Sequence, residues 1–96
     1  MIIVKVRTIL ALKTILGSGE IEVSFREGST LGQLITTLVN RWGDELASYL
    51  YEPNSRSLRP YIRLMVNGRD IAFLEKLETV LRNGDEVLIL PPVSGG

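Results

Sequence analysis

The residues of this chain with the clearest chemical meaning come last, where Leu90 is followed by Pro91-Pro92-Val93-Ser94-Gly95-Gly96. Proline has no N–H to give a β-ladder, and a Pro-Pro pair favours a stiff polyproline conformation. A strand arriving at Leu90 therefore stops pairing and continues as an extended tail. At about 3.1 Å per residue, six residues carry the last carboxylate roughly 18 Å from the sheet edge. Gly95 and Gly96 have no side chains, so the walls of a narrow channel can close on both sides of the backbone. With glycine at about 7% of average usage, chance puts two of them in the last two places about once in 200 chains. The incidental pair is the bland reading. The sharper one is a carboxylate at Gly96 presented to another protein, with Pro91, Pro92, Val93, Ser94 and Gly95 as the segment that is inserted.

The rest of the composition agrees with a chain that is acted upon. It has no histidine and no cysteine, hence neither the commonest general base and metal ligand nor any thiolate. Enzymology of its own would fall to carboxylates, lysines or hydroxyls. Eleven basic and eleven acidic residues cancel, which leaves no general attraction to nucleic acid or to an anionic membrane. Asp85-Glu86 invites a metal reading, but adjacent strand residues point to opposite faces and do not readily share an ion. No metal and no bound cofactor is expected. Arg56, Arg59, Arg63 and Arg69 make residues 53–70 locally basic. A solvated surface is the ordinary explanation, and docking to an acidic partner or a phosphate-bearing ligand is the other. Nothing looks like a targeting or membrane segment, and the chain reads as cytoplasmic.

Positioning such a tail needs a body, and 96 residues suffice for one domain: residues 1–90, with 91–96 as the tail. Met1 to Thr8 alternates Ile2, Val4 and Val6 against Ile3, Lys5 and Arg7, the pattern of a strand. Ile9 to Leu16 is apolar apart from Lys13 and Thr14, and its state is left open. Glu20 to Phe25 reads as an amphipathic edge strand with Ile21, Val23 and Phe25 inward.

Leu31, Leu34, Ile35, Leu38, Val39 and Trp42 form one helical stripe, entered through a Thr30/Gln33 capping box and ended by a left-handed Gly43, with Trp42 as core. Asp44 to Tyr51 reads as a second short helical turn, followed by a polar loop at residues 52–60. Tyr61 to Val66 reads as a third strand, Asn67-Gly68 as a two-residue hairpin turn, and Arg69 to Ala72 as a fourth strand. After the Asn83-Gly84 turn, the last strand places Val87 and Ile89 on one face and Glu86, Leu88 and Leu90 on the other.

This order suits an α+β fold of the β-grasp, ubiquitin-like kind, one mixed sheet packed on one helix. Pairing the first and last strands in parallel buries Val4, Val6, Val87 and Ile89 under that helix. The opposite face is then expected to carry an apolar cluster with a basic rim, formed by Ile3, Lys5, Met65, Leu88 and Leu90. An uncovered cluster of this sort marks a partner site, and docking there would aim the tail at whatever lies beside it.

The run from Gly84 to Gly96, Gly-Asp-Glu-Val-x-x-x-Pro-Pro-Val-Ser-Gly-Gly, resembles the end of the MoaD-type sulfur carriers, the small subunits of molybdopterin synthase. The resemblance extends to Lys5 through Lys13, to the helix entry from Glu27 to Leu34, and to Val66-Asn67-Gly68-Arg69. It departs at Thr8 and Ile9, where that family usually carries aromatics.

The resemblance implies that a ubiquitin-activating-type enzyme uses ATP to adenylate the Gly96 carboxylate, and that a sulfur donor converts it to a thiocarboxylate. It further implies that the large subunit of molybdopterin synthase accepts the tail and builds the dithiolene of molybdopterin, so that this chain is a non-catalytic sulfur donor. Two rivals stand beside it. One is a ubiquitin-like protein modifier, or a carrier for thiazole synthesis or tRNA thiolation. The other is a β-grasp interaction module that is never activated.

Overall fold

The alternation at the start of the chain forms β1 (Ile2–Thr8), with Ile2, Val4, Val6 and Thr8 buried and Ile3, Lys5 and Arg7 exposed. This computed structural model describes residues 1–55 and 57–90. The expected tail, Pro91 to Gly96, and Arg56 lie outside the described residues. β2 (Glu20–Phe25) pairs antiparallel with β1, Val4 opposite Val23, and forms one edge of the sheet as its half-polar pattern requires.

The last strand, β5 (Glu86–Leu90), takes the centre. It runs parallel to β1 with Val6 opposite Val87, and antiparallel to β3 (Arg63–Val66) with Leu64 opposite Ile89. A two-residue β4 (Arg69–Asp70) closes the order β2-β1-β5-β3-β4. A central strand needs two apolar faces. Those of β5 are Val87 and Ile89, both fully buried, and Leu88 and Leu90, half-buried.

Three helices cover the inner face: the expected main helix, the short helical turn expected from Asp44 to Tyr51, and a third in the stretch whose state was left open. Ile9 to Leu16 resolves into α1 (Leu10–Leu16), whose Leu12 and Leu16 are a helical turn apart and buried. α2 (Leu31–Trp42) is the expected helix. The Thr30 hydroxyl accepts from the Gln33 N–H at 3.3 Å, and the Gln33 side chain accepts from the Thr30 N–H at 2.8 Å, so two first-turn donors are satisfied. α3 (Asp44–Leu50) adds Leu46 and Leu50.

All three helices share one core with the inner face of the sheet. Each fully buried Leu, Ile or Val there contributes about 1.5–3 kcal/mol of hydrophobic stabilisation.

Four expectations need correction. Gly43 has φ 75° but ψ −152°, so it is not in the left-handed helical well. It ends α2 and at once caps α3, which requires an extended ψ. Trp42 is half-buried, with the Arg41 guanidinium 4.7 Å above its ring, and covers the edge of the core without filling it.

The third strand begins at Arg63, because the Ile62 N–H is already spent on a turn bond to the Arg59 carbonyl. The fourth ends at Asp70, whose carboxylate accepts from the Ala72 N–H at 2.9 Å and turns the chain into a 3₁₀ turn at Ile71–Phe73. After a second 3₁₀ turn at Lys76–Glu78, the chain returns past the start of α2. There the Leu31 N–H donates to the Thr79 carbonyl, and the Leu81 N–H to the Ser29 carbonyl.

The hairpin turn does more than reverse the chain. Asn67 and Gly68 have φ of 51° and 81°, the double positive φ of a type I′ turn. The Asn67 carboxamide also accepts from the Glu86 N–H and donates to Asp85 Oδ1, each at 2.9 Å, which fixes the entry to β5. Asn67→Gly keeps the turn and removes both bonds. It should cost about 1–3 kcal/mol, read as a lower denaturant midpoint. A midpoint equal to that of the wild type would show that the clamp contributes nothing.

Candidate functional site

On the outer face of the sheet, the register aligns Glu20, Arg7, Leu88, Met65 and Asp70 in one row across all five strands. Met65 and Leu88 are direct neighbours at its centre. Leu90 lies one step toward the tail, opposite Arg63. These three side chains are half-buried, with no helix above them among the described residues. Lys5 sits in the next row, between Glu22 and Glu86.

Ile3 does not join the cluster. It lies opposite Ser24, four residues before Arg7, about 13 Å along the strand, and its N–H donates to the Asn83 side chain. The alternation of β1 put Ile3 on the correct face, but only the register shows that it is at the far end.

Beside the cluster, two arginines are held in ion pairs. Arg7 Nη1 donates to Glu86 Oε1 at 3.0 Å and Arg7 Nε lies 3.7 Å from Glu20 Oε1. The Glu86 hydrogen bond, followed by its charge, holds the Arg7 guanidinium above its already high value. At the other end Arg63 donates to Asp70 Oδ2 at 3.0 Å. The Asp70 carboxyl is held below the usual carboxylate range, first by the Ala72 N–H and then by Arg63. Such exposed pairs contribute little to stability. They place two paired arginines beside the outward leucines of β5, Arg7 opposite Leu88 and Arg63 opposite Leu90.

The other sequence candidates separate. Arg59 donates to the Ser48 carbonyl in α3, whereas Arg63 pairs with Asp70 on the sheet, so these two members of the basic run are engaged by different elements. Asp85 and Glu86 are both engaged: Asp85 accepts from Asn67 and from the Arg82 N–H, and Glu86 pairs with Arg7. Among the described residues no group of side chains is arranged to hold a metal ion, and no helix is long and apolar enough to cross a membrane.

Arg7 and Arg63 were absent from the expected cluster. Alternation placed Arg7 on its face, but only the pairing of β1 with β5 and of β3 with β5 sets each arginine beside a leucine of the last strand. Ile9 and Leu10 were also missed. They leave β1 next to Leu90, since Thr8 pairs with Ile89, and both are exposed. An apolar run with no periodicity gave no sign of which members face water.

What the arrangement can do follows from β5. Locked between two strands, it delivers the chain from the middle of the sheet at Leu90, with an apolar strip on one side of the exit that none of the described helices covers. A partner seated on that strip would meet residues 91–96 at a fixed origin.

The sequence pattern of the ThiS family matches residues 9–96. A protein of Archaeoglobus fulgidus named as a sulfur carrier protein is 40% identical over 81 residues, 84% of this chain and 89% of the relative. The sulfur carrier protein CysO of Mycobacterium tuberculosis is 36% identical over 70 residues, 72% of this chain and 74% of the relative. Among solved structures, the small archaeal modifier protein 1 from Methanosarcina acetivorans is similar at 32% identity. Its TM-score is 0.81, and the match covers 100% of this chain and 98% of that one.

Proposed function

The chain belongs to the ThiS family of ubiquitin-like sulfur carriers, and we propose that Gly96 is its sulfur-bearing residue and that the sulfur is destined for molybdopterin. The observation that carries the reading is the central placement of β5, which leads from a rigid sheet directly into Pro91-Pro92-Val93-Ser94-Gly95-Gly96.

A carboxylate is a poor acyl donor, so it is first activated by a ubiquitin-activating-type enzyme. The Gly96 carboxylate oxygen attacks the α-phosphorus of ATP, pyrophosphate leaves, and a mixed anhydride with AMP forms. Sulfur at the oxidation level of hydrosulfide then attacks the acyl carbon, and AMP departs with the bonding electron pair. A thiocarboxylate remains.

The large subunit of molybdopterin synthase would take up this terminus and pass the sulfur to the pterin precursor. The chain supplies sulfur and grip, and the catalytic groups lie in the partners, in keeping with a sequence that has no histidine or cysteine. The Pro-Pro-Val-Ser-Gly-Gly ending supports molybdopterin as the destination.

A second reading, transfer of the activated Gly96 to lysine amines, is favoured by the likeness to a small archaeal modifier protein. The intact mass of the protein from its own cell tests both. Replacement of one oxygen by sulfur supports the carrier, and mass ladders on other proteins support the modifier. Neither signal, in cells making molybdopterin, would reject activation altogether. A thiocarboxylated protein that fails to restore molybdopterin synthesis with a purified large subunit would reject the destination and leave the carrier.

A further inference from the structure

Phe73 is 86% exposed, more than any other large apolar residue among the described ones. It ends the 3₁₀ turn at Ile71–Phe73, which the Asp70 carboxylate holds through the Ala72 N–H. With about three residues per turn, Ile71 and Leu74 share the face that packs on the core, and Phe73 falls off that face. An aromatic ring left in water adds nothing to the stability of the fold.

Three residues later Lys76 has a φ of +53°, in a region costly for any residue with a Cβ. Lys76 is exposed, as are Glu75 and Glu78, and none of the three makes an ion pair among the described residues. Neither burial nor a counter-charge there offsets the cost, and uncompensated strain of this kind points to a contact made outside the domain.

Both features border one apolar groove of about 580 Å³ at the edge of the sheet that β4 closes. Ile62, Leu64, Ile71, Ala72 and Leu77 line it, together with Glu75, Lys76 and Glu78. Met65, Leu88 and Leu90 do not, so the groove is separate from the strip beside the tail.

The segment from Phe73 to Glu78 thus carries both halves of a contact. It has an apolar knob and lies beside an apolar groove, and it has an ammonium and two carboxylates to meet one. A two-fold axis brings each of these groups to its complement, as an isologous interface requires. We propose that this edge is a self-association surface, on which a second copy of the chain seats its Phe73 in the groove and sets its Glu75 and Glu78 against Lys76, receiving the same contacts in return. The surface is at the small end of specific interfaces, which sets the dissociation constant on the order of 10–100 µM. Self-association does not depend on Gly96.

Sedimentation equilibrium of the full chain from about 1 to 500 µM tests this. The weight-average mass should climb from the 10.7 kDa of one chain toward twice that value. Phe73→Ser removes only an exposed side chain, so it should melt with the wild type while association weakens about a hundredfold or more. Lys76→Glu, and separately the double variant Glu75→Lys/Glu78→Lys, should each stay monomeric, because like charges then face each other across the axis. An equimolar mixture of the two should associate again. A wild type that keeps the mass of one chain throughout would overturn the proposal and give the groove to a different partner. Phe73→Ser associating as the wild type does, or a mixture of the charge variants that stays monomeric, would overturn it too.

Discussion

A chain lacking Gly96 should melt at the temperature of the intact protein and yet support no ATP–pyrophosphate exchange. Every buried core residue among the described residues lies between Ile2 and Ile89, and Gly96 has no side chain to add to a core, so the deletion should leave the fold intact. Activation depends on a distance. Shortening the chain by one residue withdraws the carboxylate by about 3.3 Å, and a misplacement of even 1 Å at a reacting centre costs about a hundredfold in rate. The adenylating enzyme also loses the residue whose bare backbone its channel would close upon. Thermal melting beside exchange kinetics decides the matter. Exchange by the truncated chain within tenfold of the full-length rate would mean that Gly96 is not the reacting residue.

Two neighbouring residues of β5 should respond in opposite ways. Ile89 is fully buried against the helices, opposite Leu64 and Thr8. Ile89→Ala should therefore cost about 2–5 kcal/mol through the cavity it leaves, a large share of the stability of a domain this small. Leu88 faces away from the helices, between Arg7 and Met65. In Leu88→Glu the new carboxylate is hydrated and lies next to the Arg7 guanidinium, so stability should change by less than about 1 kcal/mol.

Binding should reverse the order. Pressed against an apolar partner surface, the Leu88→Glu carboxylate is stripped of water while the neighbouring Arg7 guanidinium is already shared between Glu86 and Glu20, and affinity for the adenylating enzyme or for the large synthase subunit should fall at least about a hundredfold. Denaturant midpoints and partner affinities on the same preparations test both. An unfolded Leu88→Glu would mean that the outer face is covered, and a folded one that binds normally would move the docking surface away from β5. A loss well under 1 kcal/mol for Ile89→Ala would mean that the two faces of the strand are reversed.

The sequence by itself determined whatever depends on spacing along the chain. Alternation assigned Val4, Val6, Val87 and Ile89 to the buried face, the stripe from Leu31 to Leu38 with its Thr30/Gln33 capping box defined α2, and Asn67-Gly68 set the hairpin. The parallel pairing of β1 with β5 was legible too, since these strands were apolar enough to be central. The family was legible as well, because the run from Gly84 to Gly96 resembled the end of the sulfur carriers among which the chain falls.

Tertiary structure decided whatever depends on register. It separated Ile3 from Leu88, set the Arg7–Glu86 and Arg63–Asp70 pairs beside the outward leucines of β5, and brought Ile9 and Leu10 beside Leu90. It also shortened the third and fourth strands, where the Ile62 N–H and the Asp70 carboxylate bind locally instead of to a neighbouring strand. The physical reason is that side-chain period fixes which face a residue takes, whereas its neighbours on that face are set by hydrogen bonds between strands far apart in sequence. No local pattern records those bonds.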